Sequence, residues 1–239
     1  MSTPFSPLKY ARITGGLYVL IIVLGLTSEV AVRQRLIVQG DAGTTAANIL
    51  GSEGLFRFAF FADSIVFLSD AAVAVLLYLL LRPVNNTIAL AAAAFRLTQT
   101  AVLALNLLNQ HAALLVLTGA GYAPLDITQR NALAYLMLDR HGHGYDLGLL
   151  FFGVHCLLIG YLILKSTFLP RTLGALMMAA SIAYLVGSYV RFLAPSLVAT
   201  VAPIYFAAIV AEVGLCAWLL LKGIDTMRWQ TVNGAASAG

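Results

Sequence analysis

The stretch RHGHGYDLGLLFFGVHCLLIGYLILKSTFLPR, residues 140–171, decides the fold. Between Leu147 and Leu164 it carries no formal charge, and His155 and Tyr161 are its only strongly polar groups. At 1.5 Å per helical residue that run covers about 27 Å, enough to cross the hydrocarbon core of a bilayer. A polar porch (Arg140, His141, His143, Asp146) precedes it and a basic exit (Lys165, Arg171) follows. The segment therefore reads as one transmembrane helix with a histidine buried inside it.

The rest of the chain has the same character. Of 239 residues 61% are hydrophobic and only 10% charged, and the mean hydropathy is +0.91. A water-soluble domain of this length does not reach such values. The net charge of +4 does not point to nucleic acid. The basic residues stand singly at helix ends, whereas a nucleic-acid surface gathers them on one face. Cys156 and Cys216 both fall within apolar runs and read as small hydrophobes.

Six spans are expected, at about Arg12–Val32, Leu55–Leu81, Ile88 onward, Leu147–Leu164, Thr172–Leu193 and Thr200–Leu221. Pro83 stops the second and Pro195 the fifth. Two connections have helical periodicity but are too polar to cross, Asn48–Phe56 and Ile127–Arg140, and are expected to be short interfacial helices. Asp126 to Thr128 supplies a start signal for the latter and Gly142 an end. The fold class is thus all-α, a polytopic six-transmembrane-helix bundle with two short interfacial helices. It forms a single domain over residues 1–223, with a short cytoplasmic and mobile tail over 224–239.

Orientation follows from Lys and Arg in the short loops. Lys9, Arg12, Arg82, Lys165, Arg171, Lys222 and Arg228 fall on the side of the termini, opposed only by Asp225. Arg33, Arg35, Arg130 and Arg140 on the other side are balanced by Asp41, Glu53, Asp126 and Asp139. Both termini are expected to be cytoplasmic.

The third span is the most polar. Arg96, Gln99, Leu103, Asn106 and Gln110 recur at spacings of 3 and 4, so they share one face, which must look into the bundle. Counting from the cytoplasmic ends places Asp70, Arg96, His155 and Glu212 roughly 15 to 18 Å deep, near the midplane. Ionisable groups at that depth face a partner or a cavity. Two readings stand side by side: a structural network in which Asp70 or Glu212 holds Arg96, and a site where Asp70, Arg96, Asn106, His155 and Glu212 bind a small amphiphile, lipid or ion. Asp70 is the expected partner, because a short turn joins the second span to the third.

Toward the other surface His141, His143, Asp146 and Asp63 form an alternative constellation. Imidazoles and carboxylates can bind zinc, and a membrane-embedded hydrolase acting on lipid could use the bound water as nucleophile. His155 could also serve as a haem ligand, but His111 is poorly matched to it in depth. The cofactor therefore stays unassigned.

The strings Phe151-Phe152-Gly153-Val154-His155, Gly160-Tyr161-Leu162, Lys165-Ser166, Phe168-Leu169-Pro170-Arg171 and Leu173-Gly174, with Leu55-Phe56-Arg57, resemble the bacterial integral-membrane family DUF4386. The likeness runs from about Ala11 to Gly223. It implies a multi-pass protein of the bacterial inner membrane and supplies no activity, cofactor or catalytic residue. Function is left as an integral membrane protein surrounded by lipid, with a buried polar site for a small amphiphilic ligand. The alternatives are the metal-dependent hydrolase and a partner-binding or homo-oligomeric subunit that uses Ala89, Ala91 to Ala94, Gly174 and Ala175 between chains.

Overall fold

In a computed structural model, which describes residues 6–119 and 125–237, the chain is an all-α polytopic bundle. Among the described residues six helices are long and apolar enough to cross a membrane. The first comprises α1 (Pro7–Leu26), a π-helical turn (Thr27–Arg33) and α2 (Gln34–Leu36). Next come α3 (Ala42–Gly51), α4 (Glu53–Leu81), α5 (Asn86–Thr118), α6 (Ile127–Lys165) and α7 (Arg171–Leu193). The short α8 (Val198–Val201) leads to α9 (Tyr205–Leu221) and α10 (Thr226–Ser237). No strand occurs among the described residues.

Local chemistry sets most boundaries. Pro83 cannot donate to a helical ladder, and α4 ends at Leu81. The Asn85 side chain accepts from the Ile88 N–H at 2.9 Å and so starts α5. Asp126 caps α6 reciprocally: its carboxylate accepts from the Gln129 N–H at 2.8 Å while Gln129 Oε1 accepts from the Asp126 N–H at 3.1 Å. Gly223, with φ +70°, closes α9, its N–H and that of Lys222 both reaching the Trp218 carbonyl at 2.8 Å. At α3 the Asp41 carboxylate accepts from the Thr44 hydroxyl and the Thr44 N–H, which hold its pKa below the usual value. A depressed carboxyl pKa means this cap supports the helix while Asp41 is ionised and is lost on acidification through that pKa.

The structure corrects the sequence reading in several places. The first interfacial helix is present, but earlier, as Ala42–Gly51. Residues 127–140 are helical as expected, yet they run unbroken into the fourth span. Gly142 ends nothing. Gly144 serves another purpose there: a side chain at that position would collide with the side chain of Asn106, which donates to the His141 carbonyl at 2.7 Å. The sixth span is preceded by broken turns, Pro195–Leu197 and Ala202–Ile204, each with a proline at its start. After residue 223 the chain forms α10 instead of a mobile tail; Trp229 Nε1 donates to the Leu80 carbonyl at 2.8 Å. The alanine face of α5 is internal: Ala89, Ala92 and Ala93 are buried, as is Gly174. Ala94 and Ala175 of the same set are exposed and Ala91 is half-buried.

Two compact units can be distinguished. One comprises Met1–Val19, Ser69–Thr100 and Asp146–Gly239, and the other Leu20–Leu68 and Ala101–Tyr145. In the second, Val32, Leu36, Ile49, Phe56, Leu114 and Leu138 contribute to one apolar core. The π-helical turn brings Arg33 onto both Glu29 (2.8 Å) and Asp63 (2.6 Å). Such turns add a residue to the helix and re-aim the side chains around them.

Candidate functional site

Within the first unit Arg96 lies at the centre of a polar cluster. The alanines at 89, 92 and 93 precede it on the same face of α5, and their small side chains leave the guanidinium room between helices. Arg96 is 1% exposed. Its Nε donates to Asp70 Oδ1 at 3.1 Å, and its Nη2 donates to the same oxygen. Nη1 donates to the Tyr18 hydroxyl at 2.8 Å and lies 3.2 Å from His155 Nε2.

The opposite edge of His155 fixes its tautomer. Nδ1 lies 2.8 Å from the Ala92 carbonyl, which can only accept, so Nδ1 carries the proton. Nε2 then offers its lone pair to Arg96, and the imidazole is neutral. Phe152 stacks on His155 with ring centroids 5.6 Å apart, and the guanidinium carbon sits 5.2 Å from the Phe152 ring and 5.0 Å from the Tyr18 ring. The two aromatic faces and the carboxylate share the desolvation of one cation.

Depth counting therefore brings Asp70, Arg96 and His155 together as expected. Glu212 lies close enough to interact with Arg96 and Asp70 by charge but makes its hydrogen bond elsewhere. It is half-buried on α9 and accepts from the Tyr184 hydroxyl. The Tyr184 ring packs edge-on against Phe152 at 5.1 Å and against Tyr205 at 5.9 Å. Asn106 belongs to the other unit, where Asn109 also donates to it at 2.9 Å. The sequence reading does not assign Tyr18 or Phe152 to this cluster: each is an aromatic in an apolar run, where nothing in the spacing separates a polar partner from packing.

The cluster has a definite chemical character. Four contacts engage a guanidinium with five N–H donors, so little donor capacity is left for a ligand. Arginine keeps its proton at physiological pH, so a proton cannot pass through Arg96. These contacts tie α1, α4, α5 and α6 together.

The residues of the alternative metal set each have other contacts. Asp63 pairs with Arg33, and His141 Nδ1 lies 3.1 Å from the Asn106 carbonyl. His143 Nδ1 lies 2.9 Å from the carbonyl of Asp139, one turn away, and Asp146 pairs with Arg191 at 3.5 Å. Among the described residues no three His, Cys, Asp or Glu side chains are placed to hold a metal ion. Asp63, His141 and His143 lie in one unit and Asp146 in the other, and each has a partner of its own.

Between α7 and α9 lies a polar seam. A side chain at Gly187 would run into the ring of Tyr205. Beside this close approach is a cleft of about 220 Å³ lined by Asp146, Arg191, Tyr205, Leu149 and Val201, among others.

Residues 13–223 match a family model described as a domain of unknown function, DUF4386. A protein of Archaeoglobus fulgidus described as uncharacterized is 33% identical over 159 residues, covering 66% of this chain and 80% of its own length. No solved structure matches.

Proposed function

Since the chain belongs to the DUF4386 family, which carries no assigned activity, we propose that it is a non-catalytic membrane protein that binds a small zwitterionic amphiphile. The observation that carries this reading is the Asp146–Arg191 pair inside the apolar cleft on the α7–α9 seam. The pair offers one group of each sign, for which a ligand's ammonium and anionic groups can compete. Tyr205 adds a phenol, and Leu149 and Val201 give an apolar wall. The broken segment over residues 195–204 borders the cleft and exposes most of its side chains. Glu212 takes part at one remove, through Tyr184 and the Tyr205 ring. Asp70, Arg96 and His155 brace the helices around the site.

The experiment is native mass spectrometry of the full chain after gentle extraction. A co-purifying species of a few hundred daltons is expected, and Arg191→Gln or Asp146→Asn should lower its occupancy about tenfold through loss of one charged contact. Absence of any bound species, or occupancy in both variants unchanged from the parent, would overturn the reading.

The same proposal places the protein in the bacterial inner membrane, with both termini cytoplasmic, lipid as its surroundings and no role for nucleic acid. The Lys and Arg asymmetry supports that orientation. Reporter fusions after Lys165 and after Lys222 should both report from the cytoplasm, and a periplasmic signal at either would reverse the topology.

A further inference from the structure

Arg96 serves one carboxylate, while two stand near it. Asp70 is 5% exposed, and its Oδ1 accepts from both Nε and Nη2 of Arg96. That pair is neutral by itself. The second carboxyl, Glu212, lies in the same unit, close enough to interact with both members by charge. It stands midway along α9, ten residues before Lys222 and so about 15 Å from that end. Ionised, it would leave one negative charge uncompensated inside the hydrocarbon core, where a carboxyl without a counter-ion takes up a proton instead. From this charge balance we infer that Glu212 is a proton-binding site within the membrane.

The groups around Glu212 agree with that assignment. Tyr184 on α7 donates its hydroxyl to Oε1, so the bound proton belongs on Oε2. Arg96 on α5, Asp70 on α4, Tyr18 on α1 and Cys156 on α6 are the other titratable groups within reach of its charge. Arg96 is the one cation in that set, and its hydrogen bonds go to Asp70, Tyr18 and His155. Polar side chains continue from Glu212 toward the α7–α9 cleft. Ser181, Tyr184, Ser188 and Arg191 recur on α7 at spacings of 3, 4 and 3 and share one face. Tyr205, seven residues before Glu212 in α9, packs its ring 5.9 Å from that of Tyr184 and lines the cleft beside Asp146. Hydroxyls both accept and donate, which aliphatic side chains cannot, so this face is the polar approach to Glu212 from the cleft.

Infrared spectroscopy of the full chain in lipid, parent minus Glu212→Gln, tests for the proton. Near neutral pH the difference should contain the carbonyl stretch of one protonated carboxyl, shifted in heavy water. Glutamine has the shape of the neutral acid, so this variant is expected to fold. Tyr184→Phe should keep the band and move it to higher wavenumber, because the carbonyl loses its hydrogen bond. Asp70→Asn should abolish it: with one carboxylate left, the charge of Arg96 compensates Glu212, which then stays ionised. That loss separates a charge balance from a side chain that merely packs. Arg191→Gln should leave the band in place, so a failure of the cleft reading and a failure of this one can be told apart. A carboxylate signal in place of the protonated one, or a band that neither Asp70→Asn nor Tyr184→Phe alters, would overturn the assignment. So would its conversion to a carboxylate signal when sodium ions are added, which would make this a metal-cation site.

Discussion

Arg96→Ala is expected to cost more stability than the double change Arg96→Ala with Asp70→Ala. With Arg96 gone, the Asp70 carboxylate stays buried without its guanidinium, and breaking one side of a buried ion pair costs about 3–5 kcal/mol. In the double variant the stranded charge is absent and only a cavity and lost contacts remain. The Tyr18 hydroxyl and His155 Nε2 also lose their donor in both variants, so the double change still falls below the parent. Thermal unfolding in detergent, followed by the fluorescence of Trp218 and Trp229, measures the order. A double-mutant cycle should give a coupling of at least about 1 kcal/mol, since the two side chains touch. Additive losses would show that the contact does not hold the helices. Arg96→Lys is expected to recover only part of the loss, because an ammonium cannot reproduce the planar fork that serves Asp70, Tyr18 and His155 together.

Much of this cluster was legible in the sequence because membrane burial constrains so few residues. An ionisable group in an apolar run has to find a partner, and counting residues from the helix ends gives its depth. That argument placed Asp70, Arg96 and His155 at one level and chose Asp70 for Arg96. It also brought Glu212 within reach of the charge of Arg96, but depth does not fix azimuth, and the hydrogen bond of Glu212 goes to Tyr184. The outer constellation misled for a related reason. His141, His143 and Asp146 are close in sequence, and a glycine-rich turn would have let them converge. Gly142 and Gly144 are instead helical, so successive side chains fan around α6, and each finds a partner on its own side. Glycine there marks a close approach by Asn106, which sequence alone cannot tell from flexibility.

The α6–α7 crossing gives the second large effect, and it again turns on glycines. Gly160 and Gly174 face each other across the two helices. A Cβ at Gly160 would lie 2.8 Å from the Gly174 carbonyl oxygen and 3.0 Å from the Met178 nitrogen. One at Gly174 would lie 2.8 Å from both the Gly160 oxygen and the Leu164 nitrogen. Main-chain atoms cannot swing aside as a side chain can, so the helices must separate. In lipid, helix association rests on close packing and not on exclusion of water, so separation forfeits what holds the pair. Alanine at either position is expected to destabilise by roughly 1–3 kcal/mol and leucine by more, even though alanine favours a helix by about 1 kcal/mol over glycine. Gly16 in α1 is the control: nothing lies within 4 Å of a Cβ there, so Gly16→Ala should leave stability unchanged or raise it slightly. Thermal unfolding of the three alanine variants reads the difference directly. Equal midpoints for Gly16→Ala, Gly160→Ala and Gly174→Ala would mean that α6 and α7 do not touch at these glycines. If instead Gly174→Ala weakened only a dimer and spared the monomer's unfolding, the small-residue face would lie between chains after all.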